Sequence, residues 1–392
     1  MQTQRIASID ILRALTMVLM IFVNDLWALK EIPAWLGHVE RGVDGIGLAD
    51  TVFPAFLFIV GMSIPFAFSA RIAKGASSFQ LLRHVIFRTV ALLVMGLFLV
   101  NGEYINESAT GMLRLTWNII CCTCFIVIWN NYPRNAHRFW VALARLIALV
   151  VLVLMANIYR GGPDDNVSGF SPKWWGILGL IGWSYLAAAM VTLLANNRLW
   201  AIALGWLFFA ILSVVYHAGL VPSSLSFIPH SISGGTEAGL VMGGVLVASI
   251  LRYYQENGNN KALTVILTVF AAVLVLLSVI TRPYWGLAKL GATPAWLFLC
   301  SAFTIIAFII IYWVVDVWGK EHWFKLIRPA GTDTLLTYLI PYYAYGIAGL
   351  LNIHLPAGLL VGTVGLTTSL LFALFCVGVT WGLSRNGVRL KL

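Results

Sequence analysis

Four polar residues lie close together where one apolar run ends and the next begins. Asn24-Asp25 closes one hydrophobic run, His38 sits in the loop that follows, and Asp50 opens the next run in Gly47-Leu-Ala-Asp50-Thr-Val-Phe-Pro54. Histidine takes up and releases a proton near neutral pH. A carboxylate beside it can fix its tautomer, and an amide can orient a reacting group, so these residue types suit general acid–base or acyl-transfer chemistry. Two plainer readings stay open from the residues alone. A loop histidine can simply be solvated, and Asp50 can serve only as a cap for the free N–H groups at a helix start.

Other ionisable groups fall inside or at the mouths of apolar runs, where an unpaired charge costs a few kcal/mol or more. Asp10 and Arg13, in Ser8-Ile-Asp10-Ile-Leu-Arg13, are three residues apart and share a helical face. They read either as an ion pair pinning the first helix or as an Arg13 that lines a cavity for an anionic ligand, where a guanidinium suits phosphate. Arg88 lies a little deeper than the neighbouring Arg71, Lys74 and Arg83. Arg114, Glu237 and Lys289 begin, or just precede, later runs on the same side as His38. They read as groups converging on a polar cavity, with snorkelling to the interface the alternative for Arg114 and Lys289.

The elements that must position these groups follow from composition. Of 392 residues, 60% are hydrophobic and 10% charged, against about a quarter charged in soluble chains. Apolar runs of about 20 residues, enough to cross roughly 30 Å of hydrocarbon, recur along the whole chain. The pattern predicts spans near 8–28, 49–70, 84–100, 112–130, 139–158, 175–195, 199–217, 234–252, 262–280, 294–316, 332–352 and 358–383. Continuous runs without period-two polarity predict helices rather than a barrel. The expectation is an all-α polytopic bundle of about 12 transmembrane helices, with 10 or 11 as the lower count, forming one domain over 1–392.

With the N-terminus in the cytoplasm, Lys and Arg outside the spans divide roughly 16 to 7 in favour of the cytoplasmic side, Arg5 and Arg134 included. Both termini are then cytoplasmic. The net charge of +10 reads as topology and attraction to membrane lipids, with no nucleic-acid partner implied. Asp10 and Arg13 interrupt the first apolar run, which is therefore read as a span rather than a secretory signal. Cys121, Cys122, Cys124, Cys300 and Cys376 all fall within spans and lack metal-ligand spacing, so they read as packing thiols, and no metal is expected. Many of the 16 Trp lie near span ends, as in interfacial belts. Walker, dinucleotide, zinc-helix and nucleophile-elbow motifs are absent, which removes support for ATP-driven, redox and hydrolase readings.

The stretch Asp44-Gly-Ile-Gly-Leu-Ala-Asp50-Thr-Val-Phe-Pro54-Ala-Phe-Leu-Phe-Ile-Val-Gly61-Met-Ser63-Ile resembles the signature of the heparan-alpha-glucosaminide N-acetyltransferase family, including bacterial relatives of the DUF5009 type. Ser8-Ile-Asp10-Ile-Leu-Arg13-Ala, Phe22-Val-Asn24 and Phe87-Arg88-Thr with Gly96 resemble its first and third spans. Thr293-Pro-Ala-Trp296, Val315-Asp316-Val-Trp-Gly319 and Gly331-Thr-Asp333-Thr-Leu-Leu-Thr-Tyr338 resemble its C-terminal blocks. After His38 this chain reads Val39-Glu-Arg-Gly-Val-Asp44-Gly where the family usually has a Trp-Asn/Asp-Gly run. It keeps only Glu237 of an Asp-Pro-Glu-Gly block, and it has Asp333 where relatives often have Asn.

The resemblance implies acetyl transfer across a membrane, from cytosolic acetyl-CoA to the amino group of a glucosamine-type sugar on the periplasmic side, with a bacterial inner membrane as the expected location. It implies His38 as the active histidine, with Asn24 and Asp50 beside it. The expected arrangement puts Arg13 and Arg88 on the CoA phosphates and Glu237, Arg114 and Lys289 at the sugar. Whether further copies of the chain associate is left open. The alternatives are a transporter for small sugars or muropeptides, using intramembrane charges as substrate or proton sites, and a glycan O-acyltransferase.

Overall fold

The computed structural model describes residues 6–133, 135–256 and 258–392; Arg5 and Arg134, both counted toward the topology, lie outside them. Among the described residues, twelve helices run sixteen residues or longer. They are α1 (Ala7–Asp25), α2 (Leu48–Ile72), α3 (Ser78–Glu103), α4 (Arg114–Trp129), α5 (Arg138–Ile158), α6 (Gly176–Ala195), α7 (Leu199–His217), α8 (Thr236–Glu256), α9 (Asn260–Trp285), α10 (Pro294–Tyr312), α11 (Thr334–Leu350) and α12 (Gly362–Arg385). These match the twelve predicted runs one for one. By length and composition ten of them can cross a membrane, and the chain is a polytopic helical membrane protein.

Two helices, α4 with 16 residues and α11 with 17, are shorter than a straight crossing of about 20 residues needs. Their ends nevertheless reach both ends of the bundle. The α4 start lies beside Glu107, whose Oε1 accepts the Arg114 N–H, and at its other end the Trp129 carbonyl accepts the Lys391 N–H. Helix α11 starts beside Gly331, which Arg13 touches, and ends where Tyr345 bonds Asp25. Arg13 and Lys391 line one cavity, so the first turns of α1 and the residues after α12 sit at the same end of the bundle, the basic end.

Local sequence sets the helix starts. Ser77 and Gln80 form a reciprocal cap for α3. Thr293 caps α10 ahead of Pro294, whose missing N–H costs nothing in the first turn. The N-terminus of α1 is capped from far along the chain, with Ser8 N–H donating to Asp316.

Helices α2 and α8 form the centre. They approach through glycine on both faces: a Cβ at Gly61 would strike the Val241 carbonyl, and one at Gly244 would strike that of Phe58. Small residues let backbones close in this way where lipid supplies no hydrophobic drive. Burial explains the uneven polarity of the runs. In α8, the least apolar of the ten, 78% of the central window is buried; in the strongly apolar α5 it is 17%. A helix wrapped by protein can carry a residue as polar as Glu237, which would be costly on a face toward lipid. All five cysteines are free and buried, as expected of packing thiols.

Candidate active site

The His38 loop is folded back onto the start of α2 because two backbones come into contact there. A Cβ at Gly47 would occupy the position of the Gly37 carbonyl oxygen, so the absence of a side chain at 47 lets the loop close. This puts His38 Nδ1 2.7 Å from Asp50 Oδ1. The other carboxylate oxygen accepts the N–H groups of Val39, at 3.0 Å, and Gly47, at 3.1 Å. Asp50 therefore caps α2 and holds the imidazole with the same carboxylate.

A carboxylate that accepts two backbone N–H groups is a committed acceptor, so Nδ1 carries a hydrogen, and in the neutral imidazole Nε2 is the nitrogen with the free lone pair. The His38 side chain is 48% exposed, that of Asp50 3%. The Lys289 ammonium lies 3.3 Å from Nδ1 and 4.0 Å from Asp50 Oδ1. With Nδ1 already donating, Lys289 acts as a positive charge facing Asp50.

Two further contacts fix this arrangement. Trp296 Nε1 donates to the Asp50 carbonyl at 3.0 Å. Asp44 fastens the His38 loop to the segment carrying Lys289: its Oδ1 accepts the Leu287 N–H at 2.7 Å, and Arg282 Nε reaches both of its oxygens at 3.0 Å. The Leu287 N–H, followed by Arg282, holds the Asp44 carboxyl below its usual range. Burial pushes the Lys289 ammonium below the ordinary lysine value, and the charge of Asp50 partly restores it.

Asn24 and Arg114 belong to a different place. They line a cavity of about 660 Å³ on the His38 side of the bundle, together with Trp27, Glu103, Asn118 and the phenols of Tyr338, Tyr342 and Tyr345. No hydrogen bond joins Asn24 to His38 among the described residues. Asn118 is 9% exposed and its Oδ1 is unpartnered. The charge of Arg114 faces Glu103. Glu237 lines neither this cavity nor the His38 cluster; it is 6% exposed within α8, and its Oε2 has no partner among the described residues.

At the basic end a second cavity, of about 290 Å³, is lined by Arg13, Ser63, Arg88, Thr332 and Lys391 and runs inward to Met20 and Tyr338. Arg13 is both paired and part of the cavity wall. It pairs with Asp10 at 3.0 Å and also donates to the Gly331 carbonyl and to Ser63 Oγ, which fixes it in the cavity wall. Arg88 stacks over Tyr185 at 4.7 Å. A third, open cavity at this end is lined by Arg71, Arg83 and His84.

The two inner cavities open toward opposite ends, and three residues line both: Met20, Ile177 and Tyr338. Along α1 the wall passes from Arg13 to Asn24, eleven residues or about 16 Å at 1.5 Å per residue.

The sequence alone gives no role to Trp27, Glu103, Asn118 or Tyr342, and Tyr338 stands in it only as the end of the Gly331–Tyr338 block. Glu103 carried a usable signal, as an acidic residue ending one apolar run eleven positions before Arg114 starts the next. The tyrosines carried none, since a phenol in an apolar run is indistinguishable from packing until the helices are assembled.

The bundle, with its two cavities opening toward opposite ends, defines a polytopic helical membrane protein. A family model described as "Domain of unknown function (DUF5009)" matches residues 5–228, and the chain belongs to that family. It is also similar to the human heparan-alpha-glucosaminide N-acetyltransferase, 34% identical over 104 residues, which is 26% of this chain and 14% of that protein. The mouse heparan-alpha-glucosaminide N-acetyltransferase is 26% identical over 308 residues, covering 71% of this chain and 43% of the relative. The chain thus spans less than half the length of these relatives.

Proposed function

We propose that this protein is a transmembrane acetyltransferase, carrying acetyl from cytosolic acetyl-CoA to the amino group of a glucosamine-type sugar on the periplasmic side of a bacterial inner membrane. One observation carries the reading: cavities entering from opposite ends share a wall of three residues, with cationic groups at one mouth and mixed amide, carboxylate and guanidinium groups in the other. The names of the relatives and the excess of Lys and Arg at the basic end support it.

In this reading the basic end is cytoplasmic, and Arg13, Arg88 and Lys391 take the CoA phosphates. A cavity of about 290 Å³ lies at the lower limit of small-molecule sites, about 300–1,000 Å³, so it suits the pantetheine arm, with the nucleotide outside near Arg71 and Arg83. The acceptor sugar enters the larger cavity, where Glu103 attracts its ammonium, Arg114, Asn24 and Asn118 meet its hydroxyls, and Trp27 offers a stacking face. The amine must lose a proton before it attacks. His38, held by Asp50 with Nε2 open, lies at this end of the bundle but lines neither cavity; in this reading it is the base that takes the amine's proton through solvent, and Lys289 steadies the Asp50 charge.

A transporter would also use two opposed cavities, and an O-acyltransferase would need a hydroxyl acceptor. Purified protein is to be given labelled acetyl-CoA with glucosamine, its oligomers or a sugar bearing hydroxyls alone. The expected result is label on the amino sugars only. Sugar movement without acetylation favours the transporter, and label on the hydroxyl-only sugar favours the O-acyltransferase.

A further inference from the structure

Building on the transferase reading, we propose that Tyr338 is a catalytic residue: its phenol donates a hydrogen bond to the thioester carbonyl at the wall between the two cavities and stabilises the oxyanion formed there. The inference rests on which residues the cavities share. Met20 and Ile177 offer only apolar surface, so Tyr338 is the single shared residue with a polar hydrogen. A thioester arriving from the basic end and an amine arriving from the other can meet only along this wall.

The phenol is also prepared for the task. Tyr338 and Tyr342 hydroxyls lie 3.3 Å apart, and Tyr342 lines only the acceptor-side cavity. Two hydroxyls sharing one hydrogen bond leave one hydrogen over. When Tyr342 donates to Tyr338, that hydrogen is the one on Tyr338, and accepting a bond strengthens it as a donor. Met20, Ile177 and Leu335 make the wall around it largely apolar, and a fixed donor aimed at a developing charge is worth more in such surroundings than in open water.

The step balances as follows. The amine nitrogen bonds to the carbonyl carbon, and the C=O electron pair moves onto oxygen, facing the Tyr338 O–H. The carbonyl re-forms as the C–S bond breaks, and the proton lost by nitrogen ends on sulfur as CoA leaves as the free thiol. Tyr338 gains and loses no proton overall.

Tyr338→Phe deletes one oxygen and keeps the ring. Its kcat should fall about 10²–10³-fold, as for removal of one oxyanion donor, while KM for acetyl-CoA and the melting temperature stay close to wild type. Tyr342→Phe, which leaves the Tyr338 hydrogen in place, should lose far less. If Tyr338→Phe does not fold, fluorinated tyrosine at position 338 keeps the shape, and kcat should then track the acidity of the phenol. Wild-type transfer matched by Tyr338→Phe, or a rate indifferent to phenol acidity, overturns this inference alone. A wild type that transfers no acetyl overturns the transferase reading and this inference together.

Discussion

Asp50 holds His38 by one carboxylate oxygen, at 2.7 Å from Nδ1, and caps its own helix with the other. A single substitution therefore tests both roles. Asp50→Asn retains an oxygen that can accept the Gly47 N–H, but it no longer fixes the imidazole tautomer with a charge. Acetyl transfer should fall by about 10²–10⁴-fold, the usual share of a general base, with little change in melting temperature. A full rate in Asp50→Asn would reduce Asp50 to a cap.

The Asp44 clamp makes a prediction about pH. Because the folded carboxyl is held below its usual range, its contribution to stability is complete above the unfolded carboxylate pKa and is lost as pH falls through the lowered folded value. Melting temperatures of wild type and Asp44→Asn should therefore differ at neutral pH and converge in acid. Loosening the His38 loop should also lower turnover, by up to about 10²-fold if the ring shifts by about 1 Å.

Lys289 predicts the opposite limb. Its folded pKa is lowered, so between that value and the ordinary lysine value the unfolded chain binds more protons, and stability rises with pH there. Over the same rise Asp50 loses its facing charge. Activity should therefore decline on the alkaline side at a pH below the ordinary lysine range, and Lys289→Met should lack that limb. A limb unchanged in Lys289→Met assigns it to another group.

Glu103 and Arg114 should affect acceptor binding rather than donor binding. Glu103→Gln and Arg114→Gln should each raise the KM for the amino sugar about tenfold, consistent with loss of a charged hydrogen bond of about 1.5–3 kcal/mol, and leave the KM for acetyl-CoA unchanged. Equal effects on both substrates would mean that the cavity does not sort them.

Most of the fold was legible because a membrane span is written locally: each run of apolar residues predicts its own helix, and all twelve appear within a few residues of expectation. The widest difference is at the start of α3, which begins at Ser78 rather than near 84, because Ser77 and Gln80 cap a polar first turn ahead of the apolar run. The site divided along the same line. His38 and Asp50 are separated by one loop, and glycines at 37 and 47 close it, so their pairing could be anticipated from a short segment. Asn24 was expected beside His38 and instead lines a cavity with Glu103, Arg114 and Tyr342, a juxtaposition of α1 with α3, α4 and α11 that no local pattern encodes. Arg13 and Lys391 share a cavity across almost the whole chain, and Tyr338 gains meaning only where two cavities meet.

The central claim is transfer across a membrane, and sidedness tests it most directly. The protein is to be sealed in liposomes in one orientation, with labelled acetyl-CoA supplied only at the basic end and glucosamine only at the other. Label should appear on the amino sugar in the wild type and be lost in His38→Ala, with that variant still inserted and folded. Absence of label on the sugar when donor and acceptor are separated, or undiminished labelling in His38→Ala, would contradict the account.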